Sequence, residues 1–456
     1  MKDPNQGAGG PATEARVELP AGARGALRLP PSKAQAQRAI LLAGLAPGHS
    51  LLFGLGEAWC DDVTRAVALL GTLGRPASPE PGGALRVVGE GCGHAGGIRP
   101  AGPLRVGESG TLARIATAIA ALCCRGAVEV RGAGTLGRRS SVPLVAALEG
   151  AGARVAPVQG AAPGGWPLVV DGVGPPPDLV LVDPVSSQEL TALLVVAAAY
   201  PDAIQVHLQG DLPSSPYVEL TRDVLEAFGV EAVDLPPRPG HARCLEVRGS
   251  LRPARVELEP DASAAAVGLA AAALVGGLVR VPGPWAASRQ GDADAPTFLA
   301  ALGAPAERRD DVLVCSGRAG HGAELDLSGH PDLAPPLAAV AIHLALGAEA
   351  TTRLTGLATL RRKESDRLAG LVTMARAVGA GARVDERDGD ASLVLEPGPG
   401  PSGPVRIDPA GDHRIAFAGA LVGLTVPGLV VTDPTCVGKS WPGFWDDLAA
   451  LGRAPS

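Results

Sequence analysis

LLGTLG, residues 69–74, is the first of six related segments in this chain of 456 residues. The others are LEGAGA (148–153), LEAFGVEA (225–232), LAALGA (299–304), ARAVGAGA (375–382) and LAALG (448–452). Each is the apolar end of a predicted helix with a glycine that suits a C-cap, because glycine adopts the left-handed conformation without a Cβ penalty. The matching glycines Gly74, Gly152, Gly229, Gly303, Gly379 and Gly452 recur every 73 to 78 residues. Six units of about 75 residues therefore fill the chain.

The same order of elements is predicted in every unit. An Ala/Leu-rich helix is followed by a short strand, a loop, a second helix and, in the first five units, another strand. The first helices begin near Arg38, Thr111, Glu189, Ser263, Ala334 and Arg414. Helix patterns that alternate with strand patterns indicate an α/β chain of the α+β type, in which helices cover sheets. Six such large units predict two domains of three units each.

The composition is typical of a folded globular protein. Hydrophobic residues make up 46% of the chain and charged residues 19%, which supplies ample core. A net charge of −7 without a basic block argues against nucleic acid as the main partner. Residues 1–14 lack a targeting pattern and are interpreted as a disordered tail, which favours the cytoplasm. The apolar stretches 262–279 and 415–432 contain Gly-Gly and Pro-Gly breaks, so each predicts a buried helix and strand and no membrane span.

Lysine is scarce in this chain, since four of its 40 basic residues are lysines. Lys33, Lys363 and Lys439 lie in short polar clusters, whereas Lys2 lies in the tail. An ammonium group can pass a proton as well as hold a phosphate, while a guanidinium keeps its proton. The three clustered lysines are therefore predicted to have a chemical role, although a solvated surface charge is the simpler interpretation of any one of them.

Polar residues collect at two places in the units. Around the start of the first helix stand PPSKAQAQR (30–38), GESGTLAR (107–114), SSQELT (186–191), HPD (330–332) and GDHR (411–414). In the loop after the first strand stand GTLGRR (134–139), GDLPSSPY (210–217), RRKESDR (361–367) and CVGKSWP (436–442). Each cluster alone could be a helix cap, a turn or a solvated charge. Equivalent positions in related units can converge on one cleft, and helix N-termini there would bind anions.

The excess of cations in these clusters predicts two small anionic substrates that are held without a metal. Asp332 and Glu364 are the candidates for proton transfer, because carboxylates among cations can abstract or donate a proton. Lys33 and Lys439 are alternative proton carriers. The sequence has no CxxC pair and no HxxxH or HxH spacing, so no metal or cofactor is expected. It also lacks GxSxG, Walker and GxGxxG contexts, which disfavours serine-hydrolase, P-loop and dinucleotide chemistry.

The motifs occur in the order found in the 5-enolpyruvylshikimate-3-phosphate synthase family, which this chain resembles from about residue 29 to residue 451. They are SK with Arg38, GESGT with Arg114, SSQ followed by LTALL, SSPY, DAS (261–263), QGD (290–292), PD (331–332), KESDR, DHR and CVGKSWP. The resemblance implies two lobes, each of three βαβαββ-like units in a pseudo-threefold arrangement, with the active site in the cleft between them. One lobe is expected at 33–249 and the other at 15–32 plus 250–456, with lobe closure on binding.

The resemblance implies transfer of the enolpyruvyl group of phosphoenolpyruvate to the 5-hydroxyl of shikimate 3-phosphate, with release of phosphate. Asp332 would accept the hydroxyl proton, and Lys33 and Glu364 would manage the protons of the methylene group. The implied shikimate 3-phosphate site comprises Lys33, Arg38, Ser186, Ser187, Gln188, Ser214, Tyr217, Asp332 and Lys363. The implied phosphoenolpyruvate site comprises Lys33, Gly110, Arg139, Gln188, Arg367, Arg414 and Lys439. The two substrates are the expected partners of a protein that we expect to be a monomer.

Four residues depart from the family pattern. Ala34, Glu108, Thr359 and Ser140 stand where the family usually has serine, asparagine, asparagine and proline. Transfer to another acceptor, such as UDP-N-acetylglucosamine, is therefore an alternative, although the segment GAGTLG (132–137) lacks the loop cysteine of that sister enzyme. A catalytically inactive homologue that binds metabolites is a second alternative, which the intact candidate acids and lysines disfavour.

Overall fold

The computed structural model describes residues 14–19, 22–92, 97–158, 160–174, 178–387 and 389–453. Their α-helices are α1 Lys33–Leu45, α2 Asp61–Thr72, α3 Gly110–Leu122, α4 Val142–Gly150, α5 Ser187–Ala197, α6 Pro216–Ala227, α7 Ala262–Val275, α8 Ala295–Ala301, α9 Ala334–Gly347, α10 Arg367–Ala377, α11 His413–Gly423 and α12 Phe444–Ala450. Short 3₁₀ helices span Gly134–Arg138, Gly291–Asp294, Pro331–Leu333, Ala358–Arg362 and Pro434–Lys439.

The β-strands of the described residues follow the predicted alternation with helices. They are β1 Glu14–Ala15, β2 Ala23–Ala26, β3 Gly48–Phe53, β4 Ala77–Glu80, β5 Ala84–Gly89, β6 Leu104–Gly107, β7 Ala127–Gly132, β8 Arg154–Pro157, β9 Leu168–Asp171, β10 Asp178–Val182, β11 Ile204–Gln209, β12 Val230–Leu235, β13 Arg243–Gly249, β14 Arg255–Glu257, β15 Gly277–Pro282, β16 Ala306–Arg309, β17 Val312–Cys315, β18 Glu324–Asp326, β19 Thr352–Thr355, β20 Gly381–Arg387, β21 Asp390–Glu396, β22 Arg406–Ile407 and β23 Val430–Thr432.

Each repeat unit forms one small sheet. Five sheets have four strands, in the orders β14-β3-β5-β4, β6-β7-β9-β8, β10-β11-β13-β12, β16-β17-β15-β2 and β18-β19-β21-β20. In every one of them a parallel pair is joined to an antiparallel hairpin, as β10 pairs in parallel with β11 while β13 runs antiparallel to both β11 and β12. The βαβαββ order implied by the resemblance runs consecutively along the chain in three of these sheets, β6-β7-β9-β8, β10-β11-β13-β12 and β18-β19-β21-β20.

The sheets cover two separate hydrophobic cores. One core is built from buried residues between positions 36 and 258, and the elements around it form the first lobe. The other core combines residues 17–27 with residues 262–451, and the elements around it form the second lobe. Central helices α1, α3 and α5 pack in the first core, and α7, α9 and α11 pack in the second.

Strands β2 and β14 each lie in a sheet away from their own sequence neighbours. Strand β2 pairs in parallel with β15, so it completes a sheet of the second lobe. Strand β14 pairs in parallel with β3 of the first lobe. The expected lobe limit between residues 249 and 250 is therefore wrong for β14, because its backbone groups pair in the first lobe and Leu258 lies in the first core. The other lobe limits stay a prediction.

The sixth sheet is completed by the start of the chain. Its order is β1-β23-β22, and Glu14 of β1 lies opposite Thr432 of β23 in an antiparallel pair. Strand β1 thus provides the antiparallel strand that the last unit lacks among its residues up to 453. Glu14 was expected to end a disordered tail, and the strand corrects this at that one residue. The rest of the predicted tail, residues 1–13, lies outside the described residues.

Helix α7 of the second lobe is apolar on nearly all sides. Helix α7 (ASAAAVGLAAAALV) has buried side chains around its whole circumference, as expected of a helix enclosed by a core. It ends at Gly276 and is followed by β15, and α11 is followed by β23, so both long apolar stretches are a helix and a strand. None of the described helices combines the length and hydropathy needed to cross a membrane.

Five of the six repeat glycines have the predicted left-handed φ. The values are +72° at Gly74, +100° at Gly152, +82° at Gly229, +82° at Gly303 and +77° at Gly379. Gly452 has no left-handed φ. It follows α12, the last helix, after which the described chain ends at residue 453 without a further strand. The repeat is therefore weakest in its last unit.

The junction of β2 with β15 gives a test of the fold. Gly277 has a φ of +114°, and a Cβ there would lie 2.0 Å from the carbonyl oxygen of Ala23. We expect Gly277→Ala to lower the free energy of unfolding by about 3 kcal/mol or more, from backbone strain plus a steric clash. Gly428→Ala is the control, since Gly428 has a φ of +76° with open space around it and should cost about 1 kcal/mol. Urea denaturation of both variants measures the difference, and equal losses would contradict the strand junction.

Candidate active site

A cleft lies between the lobes, and the first turns of the central helices form its walls. Its lining includes Ser32 and Lys33 at α1, Ser109 and Gly110 at α3, Ser186 and Ser187 at α5, Asp261 at α7 and His413 at α11. Cations outnumber acids in the lining: Lys33, Arg38, Arg114, Arg139, Arg289, Arg362, Lys363, Arg367 and Arg414 face Asp62, Asp261, Asp292, Asp332 and Glu364. Positive helix ends and excess cations together suit anionic ligands.

Serine side chains cap the three central helices of the first lobe. Ser32 accepts a hydrogen bond from the N–H of Gln35 at 3.4 Å, and Ser186 accepts one from Gln188 at 3.3 Å. Ser109 caps α3 in the same way. The simpler interpretation of these serines as helix caps is thus correct, and the same hydroxyl groups line the cleft.

Asp332 lies at the centre of the polar side chains of the second lobe. Arg367 donates to its Oδ1 at 2.8 Å and Arg414 donates to its Oδ2 at 3.2 Å, while Lys363 Nζ lies 3.5 Å from Oδ1. Tyr217 of the first lobe donates its hydroxyl to Oδ2 at 2.9 Å. Burial alone would raise the pKa of Asp332, but the three cations hold it well below the ordinary value. Asp332 is therefore an ionised carboxylate that can accept a proton.

Glu364 is surrounded by cations from both lobes. Arg367 donates to its Oε2, Lys439 Nζ lies 3.3 Å from its Oε1, and Arg139 of the first lobe lies 3.4 Å from the same oxygen. Burial would raise the pKa of this carboxyl group, but these three charges hold it well below the ordinary value. Glu364 is thus a second ionised acid, and the Arg139 contact joins the lobes across the cleft.

Arg367 connects the acids of the second lobe. Its side chain is only 2% exposed, and its Nε donates to Asp412 at 2.8 Å while its other nitrogens reach Asp332 and Glu364. Burial would lower the pKa of Arg367, but the three carboxylates raise it. Asp412 also caps α11 by accepting the N–H of Arg414 at 3.0 Å. The guanidinium therefore fixes the acids relative to the helix end.

Lys33 has a carboxylate partner that the sequence motifs did not reveal. Its Nζ donates to Asp62 Oδ2 at 3.1 Å, and Asp62 lies in the first turn of α2. Burial lowers the pKa of Lys33, but Asp62 and Glu364 more than compensate, so the pKa is raised. The ammonium group is therefore protonated and can act as a proton donor.

Two buried arginines of the first lobe donate their hydrogen bonds to neutral groups, and the nearest carboxylate to Arg114 is Glu189, 4.0 Å from its Nε. Arg38 donates to the hydroxyls of Thr221 at 2.9 Å and Thr191 at 3.1 Å, and burial lowers its pKa to about 10. Arg114 donates to the side-chain oxygen of Gln188 at 3.0 Å, and burial lowers its pKa to about 10 as well. Both remain charged at neutral pH, and a charge held mainly by neutral groups favours an incoming anion.

Gly110 brings backbone close to three polar side chains. A Cβ at this position would lie 3.0 Å from Gln188 Oε1, 3.1 Å from Arg139 and 3.2 Å from Arg114. Any larger residue at the start of α3 would therefore press on the arginines. Ser214 marks a second tight approach, with a φ of +56° in the turn before α6.

Three groups in the cleft received no role from the sequence. Asp292 accepts the hydroxyl of Ser263, and burial together with Asp332 raises its pKa to about 6. Burial holds the pKa of His413 well below its ordinary value, so its ring is neutral. Thr359 Oγ1 is buried and has no hydrogen-bond partner among the described residues. Asp292 and His413 lie inside the QGD and DHR motifs. Their position at helix starts was the sequence signal that could have identified them as residues of the cleft.

The fifteen residues named from the sequence lie together in the structure. Fourteen line the cleft: Lys33, Arg38, Gly110, Arg139, Ser186, Ser187, Gln188, Ser214, Tyr217, Asp332, Lys363, Glu364, Arg367 and Arg414. Lys439 contacts Glu364 at its edge. Their individual roles stay predictions. Among the described residues, no group of three His, Cys, Asp or Glu side chains could hold a metal ion.

The raised pKa of Asp292 predicts a pH-dependent stability. The pKa of Asp292 is near 3.8 in the unfolded chain and about 6 in the folded protein, so between these pH values the folded state holds a proton that the unfolded state has lost. Ionisation of Asp292 therefore destabilises the fold as pH rises. Asp292→Asn should therefore gain roughly 2 kcal/mol relative to the native chain between about pH 4.5 and about pH 7.5. Asp294→Asn, at a half-exposed position, is the control. Urea denaturation at both pH values measures the gain, and an equal response of the two variants would contradict the assignment.

Comparison with known proteins supports one family. Residues 17–448 match the family profile described as EPSP synthase (3-phosphoshikimate 1-carboxyvinyltransferase). A relative from Shewanella amazonensis named 3-phosphoshikimate 1-carboxyvinyltransferase is 32% identical over 443 residues, which cover 96% of this chain and 99% of the relative. One of the same name from Laribacter hongkongensis is 36% identical and covers 94% of this chain and 97% of its own.

Solved structures agree in fold. The EPSP synthase of Acinetobacter baumannii superposes with a TM-score of 0.70 at 20% identity and covers 97% of both chains. The enolpyruvyl transferase NikO from Streptomyces tendae gives a TM-score of 0.69 at 17% identity and covers 96% of both chains. These likenesses confirm the α/β fold class expected from the repeats. With a family profile that spans nearly all of its length, the chain belongs to the EPSP synthase family.

Proposed function

We propose that this chain is a 3-phosphoshikimate 1-carboxyvinyltransferase, which transfers the enolpyruvyl group of phosphoenolpyruvate to the 5-hydroxyl of shikimate 3-phosphate and releases phosphate. The observation that carries the proposal is Asp332, a carboxylate kept ionised by Arg367, Arg414 and Lys363 and contacted across the cleft by Tyr217. An ionised acid beside a site for anions is the group that a hydroxyl nucleophile requires. The family relationship supports the choice of substrates.

The phosphoenolpyruvate site is assigned to the cations that meet around Glu364. Arg139 and Lys439 approach this carboxylate from opposite lobes, at 3.4 Å and 3.3 Å. Arg367 and Arg414 hold Asp332 from the adjoining side. A ligand with a phosphate and a carboxylate group can take over several of these contacts, since guanidinium groups bind both anions in bidentate fashion. Gly110 and Gln188 complete the wall on the side of the first lobe.

The shikimate 3-phosphate site is assigned mainly to the first lobe. Ser186, Ser187, Gln188 and Ser214 line the cleft at the starts of α5 and α6, where N–H groups and hydroxyls suit a phosphate. The buried charge of Arg38 is held by hydroxyl and carbonyl groups and suits the ring carboxylate. The remaining contacts are assigned to Lys33, Tyr217, Asp332 and Lys363.

The proton steps follow from the ionisation of the three candidate catalytic residues. Lys33 is protonated and supplies a proton to the methylene carbon, which makes the adjacent carbon of phosphoenolpyruvate electrophilic. Asp332 takes the proton of the 5-hydroxyl group while the oxygen of that hydroxyl group bonds to the electrophilic carbon. The tetrahedral intermediate then loses phosphate and a methyl proton, and ionised Glu364 is suited to accept this proton. We further infer a cytoplasmic monomer that acts on these two metabolites and binds no nucleic acid.

The assay that tests the function measures phosphate release from phosphoenolpyruvate with each of two acceptors. Shikimate 3-phosphate should support turnover, and UDP-N-acetylglucosamine should not. Turnover with the second acceptor alone would move the chain to the alternative activity. Binding of both metabolites without any turnover by folded protein would identify an inactive homologue. Circular dichroism of the same sample establishes the folded state.

Replacement of the proposed base tests the proton transfer from the acceptor. Asp332→Asn keeps the shape of the side chain but removes its charge, so turnover should fall about 10²- to 10⁴-fold. Shikimate 3-phosphate should still bind, because Lys363 and Tyr217 keep their positions. Steady-state kinetics and a binding titration of the same preparation give both values. A rate within tenfold of the native protein would reject Asp332 as the base.

A lysine-to-arginine change separates charge from proton transfer at the start of α1. Lys33→Arg retains a cation beside Asp62 but cannot release a proton at neutral pH. Turnover should fall at least about 10²-fold while the protein stays folded. Arg65→Lys, at a position on the same α2 helix as Asp62, is a control with the opposite exchange. Near-normal kcat in the Lys33 variant would reduce its role to charge alone.

A further inference from the structure

Glu108 carries its carboxylate at a position where the family usually has asparagine, two residues before helix α3, whose first turn lines the cleft. The side chain lies against Gly134, where a Cβ would come within 1.8 Å of its Oε1. Its Oε2 accepts the hydroxyl of Thr135 at 3.1 Å. Glu108 is thus seated on the 3₁₀ turn Gly134–Arg138 beside the cleft.

Lys439 reaches Glu108 from the second lobe. Its Nζ donates to the backbone carbonyl of Glu108 at 3.3 Å and lies 3.9 Å from Glu108 Oε2. The same ammonium group lies 3.3 Å from Glu364 Oε1. Its side chain is 9% exposed, and that of Glu108 is 39% exposed. One nearly buried cation of the second lobe is therefore shared between a carboxylate of each lobe.

The contacts close into a ring that crosses the cleft twice. Thr135 accepts a hydrogen bond from Arg139 at 3.1 Å, and Arg139 lies 3.4 Å from Glu364 Oε1. The ring runs from Glu108 through Thr135, Arg139, Glu364 and Lys439 back to Glu108. Its two cations and two carboxylates balance, so its net charge is zero. With a neutral amide at position 108 the net charge would be +1.

We propose that Glu108 is a positioning residue that keeps Lys439 in place across the lobes and, through Thr135, also keeps Arg139 in place. At the same time its carboxylate weakens the binding of phosphate-bearing anions to these two cations. An anion that binds Lys439 must compete with the Glu108 carboxylate and is repelled by it. The native chain thus has preassembled cations but reduced affinity for any phosphate group. The choice of phosphoenolpyruvate as the anion rests on the proposed function.

A change of charge alone separates this role from plain structural support. Glu108→Gln keeps the length of the side chain and an oxygen that accepts a hydrogen bond from Thr135, but it gives the ring a net charge of +1. The KM for phosphoenolpyruvate should fall roughly three- to tenfold, with kcat and the KM for shikimate 3-phosphate changed by less than about twofold. A purely structural role predicts the opposite sign, a higher KM. Glu108→Asn provides a second neutral substitution with the same expected direction.

Two further variants complete the test. Thr135→Val keeps the charge of Glu108 but removes both hydrogen bonds of the hydroxyl, so the KM for phosphoenolpyruvate should rise because Arg139 and Glu108 lose their support. Glu231→Gln removes a carboxylate from an exposed pair with Arg248, on strands β12 and β13 of the first lobe, and should leave both KM values unchanged.

Calorimetric titration with inorganic phosphate, in the absence of any acceptor, tests the inference independently of turnover. Glu108→Gln should bind phosphate roughly three- to tenfold more tightly than the native chain. Equal or weaker binding by both neutral variants would overturn the inference. If the native chain shows no turnover with shikimate 3-phosphate but the titration shows the tightening, the proposed function fails and the role of Glu108 stands.

Discussion

One buried guanidinium organises the acids of the second lobe. Arg367 contacts Asp332 and Glu364 of the fifth repeat unit and Asp412 of the sixth. Each carboxylate is buried and would be costly in isolation, and so would the arginine, so their positions depend on one another. Because Asp412 also caps α11, the cluster ties the direction of a central helix to the position of two candidate catalytic acids. Proton chemistry and packing are thus controlled by the same contacts, and a change at Arg367 would disturb both.

The repeat explains why such a cluster forms between lobes. The central helices are largely buried in the two cores, while their free N–H groups and polar first turns face the cleft. Three helices of each lobe deliver these turns to the same place. The sequence varies at those turns, with serine and lysine at α1, glycine at α3 and histidine with arginine at α11, while the helix bodies stay Ala/Leu-rich. One architecture therefore presents different groups at equivalent positions.

Much of this arrangement could be predicted from the sequence because it depends on local patterns. The period of the glycines and the helix and strand patterns identified the units, and polar clusters at helix starts identified the residues that line the cleft. The partners of those residues could not be predicted, since contacts such as Lys33 with Asp62 join positions that share no motif. The placement of β14 was missed for a related reason: strand pairing over two hundred residues leaves no local signal. The ring through Glu108 likewise depends on how closely the lobes approach.

The pairing of β1 and β2 has a consequence for the order in which the polypeptide can acquire its structure during synthesis. All strands of the first lobe are present once residue 257 has been added, so that lobe can form while the rest of the chain is still being made. The second lobe contains the first and the last described strands of the chain side by side. Strand β1 therefore has no pairing partner until β23 has been synthesised. The two lobes are similar in architecture, but the first can fold earlier during synthesis than the second.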